Sequence, residues 1–461
     1  MKIYFVSKSK EKYQEIQQIA DIKVYLLERE IAELQTTEVE KLVKAKALEA
    51  FKMVRRPVLV EHTALRIHAF QGLPGLQTSY FYSKMGYEAI MKYCDFKKDF
   101  GARAESTFCL CDGKHFIIGK GKEEGFIIGQ AEYPGKEGFA WDAIFYPSED
   151  NKEKKTYAQM GEEKNKRSMR KKAWDDLKKR LEIEPIKKME ENSEDEINEL
   201  ARLIKEKKVL LFLGAGISAS VGLPSWNKLI EELGKKKGFE EGLFELYGNN
   251  MVLAEYANNR AGDEESGVYE CIKDKLIIKD KKKLEESEIY AALLQMDFPV
   301  IYTTNYDHLL EEYYSMKKRK YAKIVNIGDM EKVEEGDTRI MKFHGDIDDK
   351  ESVVLSESQY FGRMDFQNFL DVQFQADILK YHVLYLGYSL SDVNIKLMLY
   401  LAGKRWERGQ KEDQKKKTRG KKSYIFTATP NMVQKTVFEI MALLHFQEMK
   451  GLTSKRQLMN F

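Results

Sequence analysis

Cysteine is scarce: the 461 residues hold four, at positions 94, 109, 111 and 271. Cys94, Cys109, Cys111 and Cys271 make no CxxC pair, which excludes a zinc ribbon and a disulfide framework and fits a reducing cytoplasm. Long apolar runs are missing as well. Nothing approaches the roughly eighteen consecutive apolar residues of a membrane span. The opening MKIYFVSKSKEK has no apolar core, so neither a transmembrane segment nor a signal peptide is expected. An excess of one charge is also absent: 77 Lys and Arg against 74 Asp and Glu leave +3, too balanced to argue for nucleic acid. No internal repeat is visible. What is present, 43% hydrophobic and 33% charged residues, describes an ordinary globular chain long enough for two or three domains.

The apolar pattern breaks near residue 182. Residues 184–195 carry one proline and many charges and read as a linker between a first domain, 1–183, and a second, 196–461. Beyond it, ELARLIKEKK reads as a short amphipathic helix. The highly charged KEDQKKKTRGKK (411–422) is either a solvated loop or a phosphate-attracting patch.

In the second domain five short β-like runs each lead into a polar, turn-rich segment: VLLFL (209–213) into GAGIS, VIYT (300–303) into TNYD, IMKF (340–343) into HGD, VLYL (383–386) into GYSLSD, and last SYIFTA (423–428). Helical patterns lie between most of them. Such alternation predicts a doubly wound parallel sheet, Rossmann-like, with ligands beyond the carboxyl ends of the strands. The GAGIS turn suits a dinucleotide phosphate, because glycines let backbone amides approach closely. Taken singly, Asn305 reads as a turn residue and His344 as a structural histidine. Their order along the chain is the stronger signal.

GAGIS with GLPSW (222–226), then TTNYD, FHG and LGYSLSD, resembles the sirtuin-type NAD-binding fold over most of 196–400. The resemblance implies that Gly214, Ala215, Gly216, Ser218, Gly387, Ser389 and Asp392 hold NAD, and that Asn305 and His344, with Asp307, serve the bond between nicotinamide and ribose. Breaking that bond builds oxocarbenium character on the ribose. Asn305 can orient the ribose or a water, and His344 can take a proton near working pH. Sirtuin deacylases carry a four-cysteine zinc module whose spacing is absent here. The resemblance therefore points to the bacterial branch that hydrolyses NAD, without zinc.

The first domain raises a question in the stretch VLVEHTALRIHAFQGLPG (58–75). His62 follows Glu61 at the end of a β-branched run, where a metal–phosphate site wants a carboxylate. Around it lie IYFVSKSKEKYQEI (a strand, a polar loop and a helix start), EGFAWDAIFYP and KTYAQMGEEKNKRSMRKKA. Each lysine alone reads as a solvated charge, and Phe139 and Trp141 as core packing. Jointly these segments resemble the inosine-triphosphate pyrophosphatase family, a mixed α/β fold that cleaves non-canonical purine triphosphates. Carried over, the resemblance puts Ser7, Ser9 and Lys12 in a phosphate loop, Lys46 on the phosphates and Glu33 on a Mg²⁺ ion, with Glu61 as a second candidate ligand. Phe139, Trp141, Asp142 and Lys164 would line the base pocket, and Ser168 and Arg170 would border the purine six-position oxygen. Four positions depart from the family pattern: Ser9 replaces asparagine, His62 aspartate, Ala140 glycine and Met169 histidine. An imidazole is a poor Mg²⁺ ligand. The pocket is expected to grip a triphosphate and to cut it poorly, unless Glu61 takes over the metal.

The pair of domains resembles the components of the Kongming type of bacterial antiphage defence, in which deoxyinosine triphosphate (dITP) triggers a sirtuin-like NADase. The expectation is a cytoplasmic, homo-oligomeric effector that binds dITP or ITP and then hydrolyses NAD, with no direct nucleic-acid or membrane partner. Two other readings stay open: a working ITP/dITP pyrophosphatase with an accessory NAD- or ADP-ribose-binding domain, and a non-enzymatic subunit of a complex.

Overall fold

The computed structural model describes residues 3–129, 141–181, 192–259, 268–409, 423–427, 432–440 and 446–450. The chain divides into two units, Met1–Glu190 and Glu191–Phe461, each with its own sheet. The helix Asn192–Lys205 starts inside the stretch read as linker. Among the described residues no helix is long and apolar enough to cross a membrane. Phe139, Ala140 and the basic run 411–422 lie outside the described residues.

The first unit holds β1 (Ile3–Val6), β2 (Val24–Leu27), β3 (Val58–Ile67), β4 (Pro74–Gly75), β5 (Gly101–Cys111), β6 (Phe116–Ile127) and β7 (Phe145–Pro147). They form a mixed sheet in the order β2-β1-β3-β5-β6-β7, with β4 added on β3. β1 runs parallel to β2 and β3, and the remaining pairs are antiparallel. Successive side chains on β3 face opposite layers. Val58, Val60 and Ala64 pack with Val43, Ala47 and Ala50 of the helix Val39–Val54. Leu59 packs with Ile16 of the helix Lys10–Ile19 and with Ala173 and Trp174 of the helix Met169–Lys179. That last helix rests directly on β6 because two glycines there have no side chain. A Cβ at Gly121 would stand 2.0 Å from Met169 O, and one at Gly119 2.4 Å from Ala173 O.

His62 is not at a strand end. β3 pairs with β5 from Val58 through Ile67, so His62 lies in mid-strand opposite Thr107. Glu61 and His62, read as the end of the strand, are paired and buried within it.

The second unit holds β8 (Val209–Leu213), β9 (Val300–Thr303), β10 (Tyr321–Ile324), β11 (Thr338–Lys342), β12 (His382–Leu386), β13 (Ser423–Thr427) and β14 (Phe446–Lys450). All neighbours are parallel, in the order β10-β11-β9-β8-β12-β13-β14. The five apolar runs correspond to β8, β9, β11, β12 and β13. β10 and β14 escaped the reading. β10 is a four-residue edge strand that buries only Ala322 and Ile324, too little for an apolar run. Winding reverses at β8, with β9 on one side and β12 on the other, which opens a crevice at its carboxyl end.

Candidate functional site

In the second unit, the chain leaves β8 at Gly214 and enters the short helix Ala215–Ala219. This turn lies directly on the turn that leaves β12. A Cβ at Gly214 would be 2.4 Å from Gly387 O, and one at Gly387, which has φ +62°, would be 2.7 Å from Ile217 N. The Gly216 N–H donates to Gly387 O at 3.0 Å. These glycines let two strand ends touch. The Gly216 amide, expected on a phosphate, is used within the chain.

Beneath the turn, Ser218 is buried. Its hydroxyl donates to Asp307 Oδ2 at 2.8 Å and accepts from Asn305 Nδ2 at 3.0 Å. The Asn305 N–H donates to Thr303 Oγ1 at 3.0 Å. The Asn305 carboxamide is thereby fixed, with Oδ1 buried and without a hydrogen-bond partner. An orphaned buried acceptor costs about 1–3 kcal/mol, so it marks a position where an external donor fits. Asp307, expected among the reacting groups, is buried and serves as a bracket: Oδ1 accepts from the Leu309 N–H at 3.1 Å, and burial pushes its carboxyl above the usual range.

His344 follows β11 and is only 3% exposed. Its Nε2 lies 3.0 Å from Asp392 Oδ2, and its Nδ1 lies 3.3 Å from the Tyr360 hydroxyl. Burial works against the Asp392 charge, yet His344 and the N–H groups of Ile395 and Asn394 hold the carboxyl below its ordinary value. Asp392, expected on NAD, is thus the partner of His344. Ser389 is exposed, with Oγ 2.8 Å from Ser391 Oγ. Among the described residues one group of three metal-ligating side chains occurs, His308, Asp346 and Asp348. Lys323 and Lys342 stand 3.0 and 3.7 Å from Asp346 Oδ2, so that cluster already carries its own cations.

In the first unit, Ser9 caps the helix Lys10–Ile19 by accepting from the Lys12 N–H at 3.1 Å, and Ser7 Oγ accepts from the Ser9 N–H at 3.1 Å. Strand alternation sends Glu61 and His62 to opposite faces. On one face the fully buried Glu61 carboxylate accepts from Arg170 Nε at 2.6 Å and from Ser106 Oγ at 2.8 Å, with Lys12 Nζ at 3.4 Å. Arg170, 1% exposed, also pairs with Glu15, and burial pulls its guanidinium down to about 10. Lys164 donates to Asp142 at 2.5 Å and to Glu15 at 2.9 Å. Burial pushes the Asp142 carboxyl up, against the pull of Lys164. Burial also pulls the Lys12 ammonium down, against Glu61. On the other face His62 Nε2 lies 3.0 Å from Leu76 O and Nδ1 3.6 Å from Glu33 Oε2. Lys46 donates to Glu33 at 2.5 Å and to the Glu61 main-chain oxygen at 3.2 Å. The His62 contact and, beside it, Lys46 hold Glu33 down at about 2.

This donor set does not fit Mg²⁺. A hard cation wants several oxygens. Here Glu33 meets an imidazole and an ammonium, and Glu61 faces away, committed to Arg170. Trp141 is 4% exposed and packs edge-on to Phe145 at 5.5 Å, in the core rather than on an open base platform. Ser168 is buried and caps the helix Met169–Lys179. Glu15, Ser106 and Tyr360 were missed. Glu15 shares a helix face with Lys12 at i, i+3, a signal that was available. Tyr360 carries no local signal.

Fold and sites together define a two-part α/β protein: a mixed sheet bearing a cluster of paired cations, and a parallel sheet with an amide and a histidine at its switch point. The Ham1 family matches residues 3–180, and the SIR2-like domain matches residues 299–442. The inosine triphosphate pyrophosphatase of Aspergillus fumigatus is 36% identical over 187 residues, covering 40% of this chain and 95% of that protein. The NAD(+) hydrolase ThsA of Enterococcus faecium is 28% identical over 210 residues, covering 44% of this chain and 41% of that protein. The solved Ham1 protein of Staphylococcus aureus is 25% identical, covering 39% of this chain and 98% of that one, with a TM-score of 0.32. The chain belongs to the Ham1 family through its first unit, and its second unit carries a SIR2-like domain.

Proposed function

We propose that this chain is an NAD hydrolase gated by a non-canonical purine triphosphate, dITP or ITP, and that it acts as a cytoplasmic antiphage effector. The first unit binds the nucleotide and turns it over slowly. The second releases nicotinamide from NAD, leaving ADP-ribose, without zinc. The observation that carries this reading is the Asn305 carboxamide, fixed by Ser218 with an unpartnered acceptor, on the same sheet edge as the His344–Asp392 pair. Asn305 Oδ1 accepts from a ribose hydroxyl or the attacking water, and the positive charge built on the ribose is quenched as His344 takes up the proton. The similarity to ThsA, an NAD(+) hydrolase, supports the same chemistry. For the nucleotide, support comes from Lys12, Lys46 and Lys164, and for weak turnover from the Glu33–His62 pair. A ligand gates only by binding the active arrangement better than the idle one. A homo-oligomer is part of the proposal.

A second reading, a working pyrophosphatase, is favoured by pyrophosphatase relatives covered almost end to end, such as the Aspergillus enzyme. One experiment separates them: NAD loss with and without dITP, with pyrophosphate release measured alongside. The gated reading requires NAD loss that rises with dITP and little pyrophosphate. NAD loss indifferent to dITP, or pyrophosphate release at the rate of a dedicated enzyme, refutes it.

A further inference from the structure

We propose that Tyr360 is the proton relay between the attacking water and His344, with Asp392 fixing the histidine's tautomer; this rests on the NAD-hydrolysis reading above. A neutral imidazole has one donor nitrogen and one acceptor. The Asp392 carboxylate can only accept, so Nε2 carries the hydrogen. Nδ1 is then the lone pair, and the Tyr360 hydroxyl, 3.3 Å away, is its donor. Each nitrogen has a polar neighbour, Asp392 Oδ2 at 3.0 Å and the Tyr360 hydroxyl at 3.3 Å, and His344 is 3% exposed. No nitrogen is left open to a water.

Tyr360 is half-buried as a residue, whereas His344 is enclosed, so Tyr360 is the member of the pair nearer to solvent. Its position is fixed from the same turn that holds Asp392. The Tyr360 main-chain oxygen accepts from Asn394 Nδ2 at 2.9 Å, and the Asn394 N–H donates to Asp392 Oδ1 at 2.8 Å. The two rings meet edge to face, with centroids 5.1 Å apart at 76°. Burial raises the phenol far above its ordinary range, so Tyr360 stays protonated and conducts a proton rather than storing charge.

The step balances. The bond between nicotinamide nitrogen and the ribose anomeric carbon breaks, and its electron pair neutralises the pyridinium. The water oxygen bonds to the anomeric carbon. Its proton passes to the Tyr360 oxygen while the tyrosine's own proton passes to Nδ1, leaving an imidazolium against Asp392. The imidazolium then returns the proton to solvent.

The test is Tyr360→Phe in the full chain, which keeps the ring and removes the hydroxyl, with Asp392→Asn beside it. Nicotinamide release should fall by roughly a hundredfold or more in kcat, the scale of a positioned proton-transfer group, with KM for NAD within about twofold. A kcat loss below about tenfold in Y360F, a rise in kcat, or a loss carried by KM overturns the relay. Nitrogen-15 NMR of the imidazoles, with His344 identified by H344Q among the seven histidines, gives a readout independent of turnover. The neutral ring should carry its hydrogen on Nε2, and a hydrogen on Nδ1 overturns the geometry. A wild-type protein that consumes no NAD under any nucleotide defeats the parent reading. Active wild type with equally active Y360F defeats the relay alone.

Discussion

Replacing Arg170 by methionine tests whether that guanidinium belongs to the fold or to a ligand. Arg170 is 1% exposed, bonds the fully buried Glu61 carboxylate at 2.6 Å, and also pairs with Glu15. The R170M substitution would leave Glu61 with only the Ser106 hydroxyl and Lys12 at 3.4 Å. Glu15 keeps Lys164. Breaking one side of a buried ion pair costs about 3–5 kcal/mol. Removing both charges in R170M/E61L should cost less than R170M alone, because no uncompensated charge remains, with a coupling energy of roughly 1.5–3 kcal/mol. Urea titration read by hydrogen exchange in peptides spanning β3 and β5 follows the first unit independently of the second. An R170M cost under about 1 kcal/mol, or additivity within about 0.5 kcal/mol, would refute the reasoning and return the guanidinium to the purine.

Three further outcomes are expected. Gly387→Ala should destabilise the second unit by at least about 1–2 kcal/mol from the left-handed backbone alone, before the 2.7 Å approach to Ile217 N is relieved; a thermal melt unchanged from wild type would contradict it. Burial pushes the Cys109 and Cys94 thiols up to about 12 and 11, so both should resist iodoacetamide at pH 8 in the native protein, with rapid labelling by mass spectrometry as the contrary result. Glu33 is held at about 2 against an ordinary 4.5, so its contribution is complete above pH 4.5 and is lost as pH falls through 2. Glu33→Gln should flatten that part of the acid limb of stability, and identical acid limbs in the two proteins would count against the pairing.

The parallel sheet was legible because β8, β9, β11 and β12 are apolar runs buried on both faces, each ending in an unusual polar turn. The edge strand β10 was not, because four residues with two buried positions leave almost no pattern. At the sites, residue types were readable and their partners were not. Gly214, Gly216 and Gly387 announce a close approach in sequence, but only the structure says that the visitor is another strand end. Lys164 and Arg170 read in sequence as charges toward a ligand, and nothing in their spacing shows that Glu15 and Glu61 lie against them. Tyr360 belongs to the histidine site through contacts made after the chain has crossed from β11, and no spacing rule encodes that.

The charged side chains clustered around β3 in the first unit are already matched to one another. On the two faces of β3, Lys12, Lys46, Lys164 and Arg170 meet Glu15, Glu33, Glu61 and Asp142, four cations against four carboxylates. Under the proposed nucleotide reading, an arriving polyphosphate enters as the incoming ion of an exchange, and each ammonium it captures gives up a carboxylate. Those displaced charges must take up protons, recruit a cation from solvent or swing outward, and Glu33, half-exposed in the coil between β2 and the helix Val39–Val54, is the freest to swing. Under that reading, occupancy is bound to a rearrangement of the first unit's own ions.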